Sequence, residues 1–313
     1  MIEKGKLSIV IPVYNSEKII SQVVNEIVDR YNSDYALEII LVNDGSIDNS
    51  SCVCLALSES YPQVKYLEFS KNFGQHNAVL AGLKQSNGDL VVTMDDDMQH
   101  PPAEVKKLLD EMNKDYDVVY GNYYGKNHDF FRNIGTSINN LMARVLIDRP
   151  QQIELTSFRI MKKYIVDEIT NYSAPYPYID GLILRTTHNI GKVYVNHDKR
   201  LLGESSYTFG KLLGLWLNGF FNFSIIPLRV CSWGGVVIAA TGFIFAAYFI
   251  FEKVINPSIV LGWTSLITAI VIFSGIQLIA IGMLGEYVGR MFLTQNRTPP
   301  YVIKRHVQGG EIK

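Results

Sequence analysis

The sequence predicts an α/β domain with a mostly parallel sheet, followed by an interfacial helix and a two-helix transmembrane hairpin. Three observations carry this. Short apolar runs alternate with stretches of helical periodicity along the N-terminal part of the chain, the pattern of parallel strands joined by crossover helices. One run, Leu90-Val91-Val92-Thr93-Met94, ends in Asp95-Asp96-Asp97-Met98-Gln99-His100-Pro101-Pro102. Two long segments near the C-terminus contain no Asp, Glu, Lys or Arg, as membrane spans require.

Residues 7–12 read as a buried strand, and 17–31 as a helix with apolar residues at helical spacing. A second strand, 38–42, ends at Asn43-Asp44-Gly45-Ser46. A helix over 52–60 leads to a strand at 64–69, a helix at 75–85 and the strand 89–94 that feeds the acidic cluster. A helix at 105–112 and a strand at 116–120 follow, then a helix at 132–146 and a strand at 158–161. Ligands of such sheets collect at the carboxyl ends of the strands. Asn15, Asp44 and the Asp95–Asp97 cluster all lie just past such ends.

In the acidic cluster, the Asp95 and Asp97 carboxylates and the Gln99 amide oxygen offer a hard divalent cation oxygen ligands on alternate residues. A cation there holds a diphosphate. The competing structural reading is an acidic turn before a helix opened by Pro101-Pro102. Asp44-Gly45 is likewise a good turn, and Asn15 a good helix cap.

Residues 209–224 carry Phe and Leu around most of any helix, with Lys211 near the start and Arg229 beyond the end. That predicts a helix in the headgroup region; an ordinary core helix is the alternative. The segments 230–251 and 259–284 each exceed the roughly 20 apolar residues that cross a bilayer, joined by a short connection at 252–258. Arg229, Arg290, Arg297, Lys304 and Arg305 place both flanks in the cytoplasm by the positive-inside rule. The expected divisions are a domain over 1–208, the interfacial helix and linker over 209–229, the hairpin over 230–287 and a cytoplasmic tail over 288–313. Gly234, Gly235, Gly242, Gly275, Gly282 and Gly285 permit close helix packing and make a homo-oligomer possible. Gln277 is the one strongly polar residue at mid-membrane depth, so the hairpin reads as an anchor rather than a channel.

Composition narrows the classes further. A net charge of −1 gives no reason to expect a nucleic-acid partner. Three cysteines, Cys52, Cys54 and Cys231, form neither a disulfide framework nor a zinc site and fit a reducing compartment. The apolar run 7–13 is too short for a signal peptide and is followed at once by Asn15-Ser16-Glu17-Lys18.

Five short motifs stand in series: Ile11-Pro12-Val13-Tyr14-Asn15, Val42-Asn43-Asp44-Gly45-Ser46, Asn72-Phe73-Gly74-Gln75-His76, Asp95 to Pro102, and His197 to Tyr207. In this order they resemble the family 2 glycosyltransferases of GT-A, Rossmann-like fold that move a sugar from a nucleotide donor to a polyprenyl phosphate. The Asn72–His76 and Gly203–Tyr207 pieces are most similar to bacterial undecaprenyl-phosphate glucosyl and aminoarabinose transferases. The resemblance implies that Asp97 and Gln99 ligate Mg2+ or Mn2+, with Asp95 binding the ribose or assisting the metal. It implies Asp44 as acceptor of a hydrogen bond from the base, with Pro12, Tyr14, Asn15, Gln75 and Asp96 in the nucleotide-sugar pocket; a small residue is more usual at position 96.

The acceptor of such an enzyme is a lipid phosphate. Its second pKa lies near 6, so it is largely dianionic at neutral pH and needs no strong general base. Arginines suit the phosphates. Arg132 with Ser137, Arg159, and Arg200 with Ser205 are the candidates; Arg132 and Arg200 match family positions. Two departures stand out. Relatives often carry an acidic residue just before the Phe-Arg element, where this chain reads Glu154-Leu155-Thr156-Ser157-Phe158-Arg159, leaving Glu154 or Ser157 as substitutes. Dolichol-type relatives have Lys where this chain has Ser206; Lys199 or Lys211 are possible replacements.

The expectation is a metal-dependent, inverting glycosyltransferase of the bacterial inner membrane, with both termini cytoplasmic. It moves one sugar, from a UDP-sugar, onto undecaprenyl phosphate. The rivals are a dolichyl-phosphate-mannose type using GDP-mannose and a non-catalytic membrane scaffold or flippase partner. A processive synthase lacks support, because Gln-x-x-Arg-Trp is absent.

Overall fold

Strand β1 (Lys6–Val13) forms the middle of the sheet. Only its first residue is exposed, and it pairs in parallel with β2 (Ala36–Asn43) on one side and β4 (Leu90–Thr93) on the other. In this computed structural model, residues 5–123, 153–196, 226–255, 262–309 and 311–312 are described. The remaining strands are β3 (Val64–Phe69), β5 (Val118–Tyr123), β6 (Arg159–Lys162), β7 (Ile190–Val195), β8 (Ile303–Gln308) and β9 (Glu311–Ile312). Their order across the sheet is β7-β5-β6-β4-β1-β2-β3-β8-β9. The β1–β4 set and the β5–β7 pair are parallel. β6 runs antiparallel to both β4 and β5, and β8 antiparallel to β3.

Helices cover this sheet because each buries one stripe. In α1 (Ile20–Tyr31), Ile20, Val23, Val24, Ile27 and Tyr31 face the core, the spacing of a single helical face. The next three are α2 (Ser50–Ser60), α3 (Gln75–Gln85) and α4 (Val105–Met112). α3 is nearly all buried from Asn77 to Leu83. A Cβ on its Gly82 would collide with Val10 and press on Val42, so the missing side chain sets how closely α3 lies on β1 and β2. Two short helices, α5 (Lys163–Thr170) and α6 (Ile179–Thr186), follow β6.

The chain runs from β1 outward through β2 and β3, then crosses back to β4 on the far side of β1. The loops after β1 and β4 therefore part at a topological switch point, where open α/β sheets hold their ligands.

Two compact units result: Met1–Leu212 together with Arg297–Lys313, and Leu213–Asn296. The second holds α7 (Ile226–Ile255) and α8 (Trp263–Gln295). Within α8, Ile272–Gln295 is long and apolar enough to cross a membrane, and Cys231–Phe245 in α7 is a shorter apolar stretch. Trp233, Phe243 and Leu278 are 70%, 77% and 68% exposed, apolar surface on a scale that marks a lipid or protein contact. α8 runs on past the apolar segment that ends at 284, and there Glu286 accepts from Arg290 at 2.7 Å, one turn on. The expected tail at 288–313 likewise contains the end of α8 and strand β8. The expected helices at 132–146 and 209–224 lie outside the described residues.

Candidate active site

The four acidic side chains at the switch point are held by a few short bonds. Asp44, just past β2, is buried. Its two carboxylate oxygens accept from the backbone N–H groups of Phe73 at 2.6 Å and Gly74 at 2.8 Å. The approach depends on Gly45, which sits at φ 66°. A Cβ there would lie 2.5 Å from the Lys71 carbonyl carbon. Burial pushes the Asp44 carboxyl up to about 6, with the two N–H donors pulling the other way.

One residue further along, the Gln75 side-chain amide donates to Oδ1 of Asp95 at 2.7 Å. The turn Phe73-Gly74-Gln75 thus bridges the β2 loop and the β4 loop, which accounts for the Asn72–His76 motif. Ser157, in the turn before β6, donates to the other Asp95 oxygen at 2.5 Å. Thr93 holds that turn by donating to the Ser157 carbonyl at 2.6 Å.

Asp96 points to the β1 loop. Its Oδ2 accepts from the Tyr14 N–H at 3.1 Å and the Ser16 hydroxyl at 2.5 Å. Asn15 adopts φ 56°. Its side-chain Oδ1 accepts from the Ile47 N–H at 2.9 Å, and its backbone N–H donates to the Ser46 hydroxyl at 3.0 Å. Asn15 therefore ties the β1 loop to the β2 loop instead of capping α1, whose N-cap is Ile19. Pro12 is buried within β1, opposite Val42, while Tyr14 is 41% exposed at the strand end.

Asp97 is mostly buried, and its Oδ1 accepts the Gln99 N–H at 3.0 Å. Met98 between them is at φ 59°, a left-handed conformation uncommon for a long side chain. Behind the turn, the His100 ring stacks on Phe158 at 5.1 Å, and its Nε2 bonds the Tyr123 hydroxyl. Burial drives Asp95 above the usual carboxylate range, with His100 and Ser157 opposing and Asp97 adding to it. Asp96 is pushed up to about 7, first by burial, then by Asp95 and Asp97. Burial first, and then the neighbouring carboxylates, make negative charge costly in this cluster.

That charge bears on a metal. Among the described residues, no three His, Cys, Asp or Glu side chains converge to hold an ion. Mg2+-type sites use one or two carboxylates and take their remaining oxygens from substrate phosphates and water. Asp97 and Asp95 fit that donor set, for an ion that shares a diphosphate.

Arg159 is paired within the sheet. It is 2% exposed. Its Nη1 donates to Asp180 Oδ1, which also accepts the Tyr120 hydroxyl at 2.9 Å. The guanidinium lies over the Tyr120 ring. Arg159, expected among the phosphate contacts, is thus a strand-buried cation with a dedicated counter-ion. Arg132, Ser137, Arg200 and Ser205 lie outside the described residues. Sequence reasoning left open the role of Ser157 and missed that of Asp180. A lone Asp in α6 gives no signal of its partner 21 residues away.

The architecture is that of the GT-A enzymes. A crystal structure of glucosyl-3-phosphoglycerate synthase from Mycobacterium tuberculosis, in complex with Mn2+, uridine diphosphate and phosphoglyceric acid, superposes with a TM-score of 0.51. It does so at 16% identity over 67% of this chain and 74% of that one. The model of "Glycosyl transferase family 2" matches residues 8–170, and the chain belongs to that family. Its relatives include a prophage bactoprenol glucosyl transferase homolog of Escherichia coli, 31% identical over 96% of this chain and 99% of that one. Another is the undecaprenyl-phosphate 4-deoxy-4-formamido-L-arabinose transferase of Proteus mirabilis, 32% identical over 97% and 94%.

Proposed function

We propose that this glycosyltransferase moves one sugar from a nucleotide donor, a UDP-sugar, to undecaprenyl phosphate at the cytoplasmic face of the bacterial inner membrane. The observation that carries the reading is the bridged carboxylate pair at the switch point: Asp44 on one side and Asp95, at the head of the turn that holds Asp97, on the other, joined through Phe73-Gly74-Gln75. The names of the full-length relatives support the acceptor.

In this reading the base lies against Asp44, and Tyr14, Asn15 and Pro12 form the wall beside it. Asp97, Gln99 and Asp95 hold Mg2+ or Mn2+, which supplies positive charge for the departing diphosphate. A lipid phosphate oxygen attacks the anomeric carbon as the bond from that carbon to the diphosphate breaks, inverting the centre. The nucleophile arrives already deprotonated, so the protein need only orient it. Arg132, Ser137, Arg200 and Ser205 are the proposed phosphate contacts.

The hairpin belongs to the same reading. Met1–Leu212 and Arg297–Lys313 fold as one unit, so the chain between them crosses a membrane an even number of times. Two crossings by α7 and α8 satisfy that. Self-association through the glycine-bearing helices is part of the proposal, since a Cβ at Gly234, Gly242 or Gly275 meets nothing within 4 Å.

The test is transfer from a panel of radiolabelled nucleotide sugars to undecaprenyl phosphate in detergent, with Mg2+, Mn2+ or EDTA. Metal-dependent lipid product from one UDP-sugar is the expected result. Product from GDP-mannose alone would replace the donor assignment, and none from any donor would favour a scaffold.

A further inference from the structure

The segment that follows α8 returns to the nucleotide end of the sheet. β8 pairs antiparallel with β3, from Lys65 opposite Gln308 to Phe69 opposite Ile303, with a register shift between Glu68 and Phe69. Lys304 reaches Glu68 at 2.9 Å, and the Val302 carbonyl accepts the Ser70 N–H at 3.0 Å. Val307 is 1% exposed, so this is a packed strand.

Just ahead of β8, the Tyr301 ring lies flat on Phe69, with centroids 5.0 Å apart and an interplanar angle of 11°. Phe69 in turn meets the edge of Phe73 at 5.7 Å. Phe73 is the residue whose N–H holds Asp44. On the far face of this stack, Lys84 of α3 stands 5.8 Å from the Tyr301 centroid. Tyr301 therefore stands at the head of an aromatic relay, through Phe69, into the Phe73-Gly74 turn, and also meets the last turn of α3 through Lys84.

We infer that Tyr301, with strand β8 behind it, is a positioning element of the nucleotide pocket, setting the Phe73-Gly74 turn so that Asp44 is aimed at the base. The inference rests on the nucleotide reading of that pocket. It assigns the residues after the membrane helix to donor affinity, not to anchoring and not to the chemical step.

The test uses the full chain in detergent and UDP as the probe. Binding by calorimetry with Mg2+ and donor kinetics are measured for the unaltered protein, Tyr301→Ala and Tyr301→Phe. Losing one aromatic stacking partner corresponds to a weakening of about three- to tenfold. The expected result is that increase in Kd for UDP and in donor KM for Tyr301→Ala, with kcat little changed and Tyr301→Phe close to the unaltered protein. UDP binding by Tyr301→Ala equal to that of the unaltered protein overturns the inference and leaves the pocket reading standing. So does a fall in Tm and kcat with donor KM unchanged, which marks a purely structural ring. If the unaltered protein binds neither UDP nor GDP, the pocket reading itself fails and the inference with it.

Discussion

Ser157 donates its hydroxyl to Oδ2 of Asp95 across 2.5 Å, from a turn that lies 62 residues away in sequence. A hydroxyl in this turn fixes an oxygen of Asp95 without adding negative charge. Ser157→Ala frees that oxygen without disturbing the backbone bond from Thr93. The expected loss is about 1 kcal/mol or somewhat more, the net value of a typical intramolecular hydrogen bond. Transfer rate should fall roughly five- to twentyfold, and the Mg2+ concentration for half-maximal activity should rise. Metal titration of the initial rate checks this; unchanged metal dependence would remove Ser157 from the site.

Asp97→Asn keeps the shape and removes the charge. Transition-state charge stabilisation of this kind is worth about a hundredfold or more in kcat. The variant should fold as the unaltered protein does and show no rescue by raising Mg2+ or Mn2+ at ordinary concentrations. Full activity in the presence of EDTA would instead reject the metal.

Asp44 predicts a pH dependence of stability. Its carboxyl is raised from 3.8 to about 6 by burial. Between those values the folded state keeps a proton that the unfolded state has released. Stability therefore falls as pH rises through that window and stays at the lower level above it. The contribution is on the order of 3 kcal/mol. Denaturant unfolding between pH 4 and 7 should show this fall in the unaltered protein and lose that component in Asp44→Asn.

Asp180→Ala strands the Arg159 cation in the core. Breaking a buried pair from one side costs about 3–5 kcal/mol, which corresponds to a Tm lower by roughly 10 °C for a domain of this size. The double variant Arg159→Met with Asp180→Leu should recover most of that loss and retain transfer. Recovery of Tm with transfer abolished would return Arg159 to the acceptor site.

Much of the sheet was legible because β1–β4 are buried apolar runs bounded by turns, and β3 and α3 begin and end where their periodicity does. β5 was displaced, since Gly121 and Asn122 look unlike a strand yet pair with Val193 and Tyr194. β7 and β8 gave little signal. Ile190–Val195 is only partly buried, and Ile303–Gln308 carries Lys304, Arg305 and His306, residues suited to a strand near an edge. The site followed the same division. The carboxylates could be picked out because they sit at strand ends, whereas Ser157, Asp180 and Tyr301 take their meaning from contacts across the fold that no local pattern encodes.

The return of β8 to β3 also orders biosynthesis. On the ribosome, β3 emerges early, but the strand that closes its outer side is made only after both long apolar helices. Until then β3 presents a bare hydrogen-bonding edge, an invitation to pair with another nascent chain. A recombinant fragment ending before residue 297 keeps that edge open permanently. Aggregation of such a fragment would reflect a missing partner strand, not an unstable catalytic domain.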